Sequence, residues 1–132
     1  MAKRPLTLRV RLPPYTPPRL TWRLVIHRVV AKALRQVHVA YTEDDRFEVS
    51  LRLYFENPVL QRIDIDNRLK DVLDALQGHV GGAGKKQRRR APIIPNDSQV
   101  YRATVEKSLP PKQSWHGWGH LTITKYKGPR FG

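Results

Sequence analysis

Two aspartates one residue apart stand in Ile63-Asp64-Ile65-Asp66-Asn67-Arg68-Leu69-Lys70, directly ahead of a stretch with helical periodicity. In extended chain, residues i and i+2 point to the same side, roughly 6 to 7 Å apart along the backbone. Such a pair offers two carboxylates to one hard cation. Mg²⁺ suits it, with Mn²⁺ as a substitute, because Mg²⁺ takes one or two carboxylates, keeps several waters and lets phosphate oxygens complete its octahedron. The chemistry this supports is phosphodiester hydrolysis, with a water acidified, the scissile phosphate neutralised and the leaving oxygen stabilised. The residues by themselves leave a plainer reading open. Asp before an apolar run is a common helix cap, and Asp66 with Lys70 is an ordinary i, i+4 ion pair.

The partner is suggested by charge. Lys and Arg number 25 against 11 Asp and Glu, a formal net charge of +14, so a polyanion is expected. The basic residues are spread over several segments instead of lying along one amphipathic anchor helix, which favours nucleic acid over an anionic membrane. Charge alone suits a silent basic binding protein equally well. Acids on a DNA path, however, repel the backbone unless a metal makes use of them. The absence of cysteine excludes disulfides, thiolate zinc sites and cysteine nucleophiles. No apolar run is long enough for a bilayer, and the basic Met1 to Arg4 is followed by alternation, not by a signal-peptide core. A cytoplasmic protein is the expectation.

The elements that must position these residues follow from periodicity. A length of 132 residues suits a single domain, 1–132. Leu6, Leu8, Val10 and Leu12 alternate with polar residues as a strand that stops at Pro13-Pro14. From Arg19 to about Val37 the period becomes helical, with Trp22, Val25, Ile26, Val29, Val30 and Ala33 on one face. Glu43-Asp44-Asp45 reads as a turn. Phe47, Val49, Leu51, Leu53 and Phe55 form the clearest strand. Leu69, Val72, Leu73 and Leu76 predict a second helix from about Asp66 to Leu76, ended by Gly78. Gly78 to Arg90 is a glycine-rich basic loop without apolar period, flexible at about 78–92. Val100 to Glu106 and Gly119 to Tyr126 are two more strands. The order strand-helix-strand-helix-strand-strand predicts an α+β domain: a four-stranded mixed sheet with at least one parallel pair and two packed helices.

The run Asp64-x-Asp66-Asn67-x-x-Lys70-x-x-x-Asp74-Ala75-Leu76, followed some twenty residues on by Asn96-Asp97-Ser98-Gln99-Val100, resembles the pattern of RusA-type Holliday-junction resolvases. The order of elements is also that family's, so the resemblance covers nearly the whole chain. It implies that Asp64, Asp66 and Asp97 are the acidic metal ligands and Lys70 the catalytic lysine, while Asp74 matches in a place that suggests a structural role. It further implies four-way DNA junctions as substrate, 5′-phosphate products, and a function in recombination and repair. Two symmetric cuts by a domain with one site call for a twofold homodimer. An unperturbed lysine is protonated at neutral pH, so Lys70 is expected to stabilise charge. There are two departures. Asn96 stands where the family often has a first Asp, and the stretch from Leu76 to Asp97 is longer than in compact members. The excess carries Lys85, Lys86, Arg88, Arg89 and Arg90, expected as DNA contacts for which the motif offers no guide. A nuclease for other branched DNA shares the same metal site.

Other signals carry less. Gly81 to Lys86 has the wrong spacing for a phosphate-binding loop. His116 and His120 are separated by glycines that argue against a zinc pair. Trp115 and Trp118 pack under the last hairpin or stack on unpaired bases.

Overall fold

In a computed structural model of the chain, residues 7–15, 18–81 and 88–128 are described. Helices and a four-stranded mixed sheet form one small α+β domain. Strand β1 (Leu8–Leu12) is followed by helix α1 (Arg19–Gln36), strand β2 (Phe47–Tyr54), a single turn α2 (Val59–Arg62) and helix α3 (Ile65–Leu76). After a short ribbon, β3 (His79–Gly81) with β4 (Arg88–Arg89), come β5 (Val100–Ser108) and β6 (Gly119–Lys125). The sheet order is β1-β6-β2-β5. β6 runs antiparallel to both neighbours, and β2 with β5 is the parallel pair.

Period-two alternation puts Leu8, Val10 and Leu12, Phe47, Val49, Leu51 and Leu53, and Leu121 and Ile123 on one face of the sheet, all buried. Onto that face α1 lays Trp22, Ile26, Val30 and Leu34, a strict i, i+4 stripe. From α3 come Val72, Ala75 and Leu76. The expected α1 face was broader: Val25, Val29 and Ala33 are only half-buried, and His27 takes a core-facing place instead. Its Nε2 lies 2.8 Å from the carbonyl of Ala91, which ties α1 to the segment leading to Asp97.

The Gly78 to Arg90 stretch departs from the expected structureless loop. Its two described ends pair as an antiparallel ribbon, with His79 opposite Arg89 and Gly81 opposite Arg88. Buried Val80 packs the ribbon inward, and so little apolar material leaves no period to read. Lys85 and Lys86 lie outside the described residues; Arg90 is exposed. Gly78 makes the reversal possible. Its φ is +88° and a Cβ there would collide with the Arg90 carbonyl, while the Arg90 amide donates to the Gly78 carbonyl at 2.8 Å. Gly78→Ala should therefore cost at least about 1–2 kcal/mol for the left-handed backbone alone, read as a lower urea midpoint with unchanged slope.

Candidate active site

Helix α3 begins one residue earlier than its apolar period suggests, because Asp64 caps it. Asp64 has extended backbone, its Oδ1 accepts from the Asp66 amide at 3.1 Å, and its Oδ2 accepts from Asn67 Nδ2 at 2.8 Å. Asp66 therefore sits in the first helical turn and not in extended chain, which corrects the i, i+2 strand geometry expected from sequence. Capping and ligation remain compatible, since each carboxylate oxygen has two lone pairs. Asp64, Asp66, Asn67 and Lys70 are all exposed at this end of the helix. Asp66 and Lys70 form no salt bridge among the described residues, so the plain i, i+4 pair is not what holds Lys70.

What fixes this helix end is a buried ion cluster. Asp71 is 0% exposed and accepts from Arg19 Nε at 3.1 Å and Arg23 Nε at 2.9 Å, with Arg68 Nη2 at 3.2 Å. Arg23 also reaches Asp74 at 3.2 Å. Arg68, itself buried, lies with its guanidinium 4.1 Å from the Tyr15 ring centroid, and its Nε has no hydrogen-bond partner among the described residues. The hydrogen bond to Asp71 raises the Arg19 pKa above its ordinary value despite the opposing effect of burial. One carboxylate thus clamps α3 to α1 through the two guanidiniums of Arg19 and Arg23, while Arg68 braces it from within α3. Motif matching passes over Arg68 and Asp71. A signal was present, since Arg68, Asp71, Val72 and Ala75 share the helix face at i, i+3, i+4 and i+7, where a charge must be paired.

Asp97 is positioned by a second device. Asn96 Oδ1 accepts from the Ser98 amide at 2.9 Å and Gln99 Oε1 accepts from the Asn96 amide at 3.0 Å, a capping box over the 3-10 turn Asp97–Gln99. The Nε2 of buried Gln99 then donates to the carbonyls of Thr42 and Asp45 at 2.8 and 2.9 Å. Asn96 is therefore spent on hydrogen bonding, and exposed Asp97 is held at the mouth of β5. It lines a cleft of about 340 Å³ with Arg23, Asp74, Gln77 and His79.

These two devices sit at opposite ends of α3. Asp74, which borders the Asp97 cleft, is eight residues from Asp66, roughly 12 Å along the helix axis. The amides of Ile93 and Ile94 bind the Leu76 carbonyl, anchoring the Asp97 segment at the helix C-terminus. At the other end, Lys107 Nζ, near the end of β5, lies 3.3 Å from the Ile63 carbonyl just ahead of Asp64. One chain thus brings Asp64, Asp66 and Lys70 together and keeps Asp97 apart from them. Among the described residues no group of three or more acids or imidazoles has the spacing of a metal site. Of the basic residues expected on DNA, only Arg90 has a described side chain. No helix among the described residues is long and apolar enough to cross a membrane.

Neither a protein-family model nor a curated protein matches this sequence. The resemblance to RusA-type resolvases therefore rests on the motif residues and the order of elements.

Proposed function

We propose that this chain is a Mg²⁺-dependent, structure-selective endodeoxyribonuclease that resolves four-way DNA junctions as a homodimer, as the motif resemblance implies. The observation that carries the reading is the exposed Asp64, Asp66 and Lys70 at one rigidly clamped helix end, in a chain of net charge +14. An all-oxygen donor set of this kind fits a hard divalent ion. Asp64 and Asp66 would hold it, with Asp97 as the third carboxylate. When bound, such an ion supplies charge neutralisation at phosphate and an acidified water. Lys70, one turn along from Asp66, places a fixed positive charge beside the same phosphate.

The distance of Asp97 from this helix end gives the dimer a chemical purpose: the third carboxylate comes from the second copy. β5 is an edge strand of the sheet and its sequence is self-complementary in charge. Antiparallel pairing of two copies centred on Thr104 sets Arg102 of one opposite Glu106 of the other. Within each chain Arg102 already lies beside Glu48 and Glu106 beside Arg52, so charges alternate along the joined rows. The same pairing carries Asp97 of one copy toward the Asp64 end of the other.

Lys70→Ala should lower single-turnover cleavage at saturating protein by roughly two to three orders of magnitude, as for loss of one preorganised charge, with junction affinity little changed. A loss confined to affinity would make Lys70 an ordinary phosphate contact. The Asp64 cap favours a second reading, a non-catalytic basic nucleic-acid-binding protein. A panel of junction, flap and linear duplex with and without Mg²⁺ separates the two, since the binding protein cuts nothing and a general branched-DNA nuclease also cuts flaps.

A further inference from the structure

The face of the sheet turned away from α1 and α3 holds a row of two arginines and a histidine that the α3 site does not use. The register sets Arg11 of β1 beside His120 of β6, and His120 beside Arg52 of β2. Neighbouring strands lie about 4.8 Å apart, so two guanidiniums flank one imidazole. Like charges placed abreast destabilise a sheet. Only the outer end of the row is relieved, by Glu106 at 3.4 Å from Arg52. Arg11 has no carboxylate partner among the described residues; its guanidinium lies 3.9 Å from the Trp115 ring centroid.

The row borders a depression of about 210 Å³ lined by Ser50, Arg52, Tyr54, His120 and Thr122. Buried Tyr54 fixes the imidazole, with its hydroxyl 2.9 Å from His120 Nδ1. When Tyr54 donates this bond, the proton of the neutral ring is on Nε2 and is free to donate to an anion. Burial, together with the Arg11 and Arg52 charges, lowers the His120 pKa below its ordinary value. An anion seated here would reverse that electrostatic cost.

We propose that the Arg11–His120–Arg52 row seats the phosphodiester backbone of an unpaired DNA strand, with a base against Trp115. Three donors abreast and two neighbouring hydroxyls match phosphate, and the partly exposed Trp115 ring at the end of the row, besides packing on Arg11, offers a stacking surface to a strand whose bases are unpaired. The surface stands apart from the reading of α3, lying on the opposite side of the sheet and needing neither metal nor a branched substrate.

The test uses a fluorescent oligothymidylate, without divalent metal, titrated at several KCl concentrations against the full chain and against Arg52→Gln, Arg11→Gln and the double variant. Each lost contact should reduce the magnitude of the log-log salt slope by roughly 0.7. The carbon-bound imidazole resonances of His120, followed by NMR across pH, should report a pKa raised toward or above its ordinary value at saturating oligonucleotide. Arg52 is exposed and its pair with Glu106 is worth little, so Arg52→Gln keeps the test clean if Arg11→Gln disturbs Trp115. An unchanged slope in a folded Arg52→Gln protein, or a His120 titration indifferent to the oligonucleotide, overturns the proposal. Equal perturbation of the row by a blunt duplex overturns the assignment to an unpaired strand.

Discussion

Two inactive variants, mixed, should cut DNA again. Asp66→Asn and Asp97→Asn are each expected to lower Mg²⁺-dependent junction cleavage by at least roughly two to three orders of magnitude, and Asp64→Asn to do the same. All three should keep the fold and the junction affinity. Asparagine is as good a cap as aspartate at position 64, and removing negative charge near DNA does not weaken association. In the proposed shared site, with Asp97 bordering the far end of α3 from Asp66, a dimer with one chain of each variant would have one site that has lost both carboxylates and one that is complete. With random assortment about half of the dimers are mixed, so nicking should recover to roughly a quarter of the wild-type rate. Co-expressed, co-purified chains assayed on a four-way junction give the measurement. No recovery on mixing would sink the shared site while leaving the nuclease reading intact. Near-normal cutting by any single variant would remove that residue from the ligand set.

The second large effect is on stability. Asp71→Asn should lower the free energy of unfolding by about 3–5 kcal/mol, the usual consequence of removing one partner from a buried ionic cluster. Arg23 and Arg68 are left largely dehydrated around a neutral amide, and Arg19 loses its anchor. Domains of this kind are stable by only about 5–15 kcal/mol, so the variant should approach unfolding at physiological temperature. Asp74→Asn is the control, because Asp74 is partly exposed and its one salt bridge among the described residues is to Arg23, a pair worth up to about 1 kcal/mol. Urea denaturation of both variants decides it. A loss at Asp71 no larger than at Asp74 would mean that the cluster does not hold α3.

Both long helices and strands β1, β2 and β6 could be read from periodicity, because each buries one face and the burial is strong: Phe47, Val49, Leu51 and Leu53 are all at most 1% exposed. β5 is also a strand, although none of its residues is fully buried. The ribbon β3–β4 escaped because short strands rich in glycine and arginine have no apolar period. Half of the candidate site was readable for the same reason that it is local: Asp64 through Lys70 is one helix start. Its relation to Asp97 was not, since two segments joined by some thirty residues carry no record of which end of a helix each will meet. The ion cluster does not show in the sequence because Arg23, Arg68 and Asp71 are surface-like by type and are covered only when α1 and α3 cross. The sheet row at His120 was hidden more deeply still, because it exists only in the register between β1, β6 and β2.

The last described strand of the chain lies in the interior of the sheet. β6 separates β1 from β2, and among the described residues β1 has no other sheet neighbour, so that Leu8 pairs with Ile123. On a ribosome, β1 must therefore wait through the synthesis of nearly the whole domain with its backbone edge unpaired, even though α1 can cover its apolar face early. Pairings of such long sequence separation are slow to form and expose the chain to aggregation meanwhile. A nascent polypeptide halted before residue 119 has both walls of a gap and nothing to fill it, and stays open to proteases and chaperones however well its Asp64 to Lys70 helix has formed.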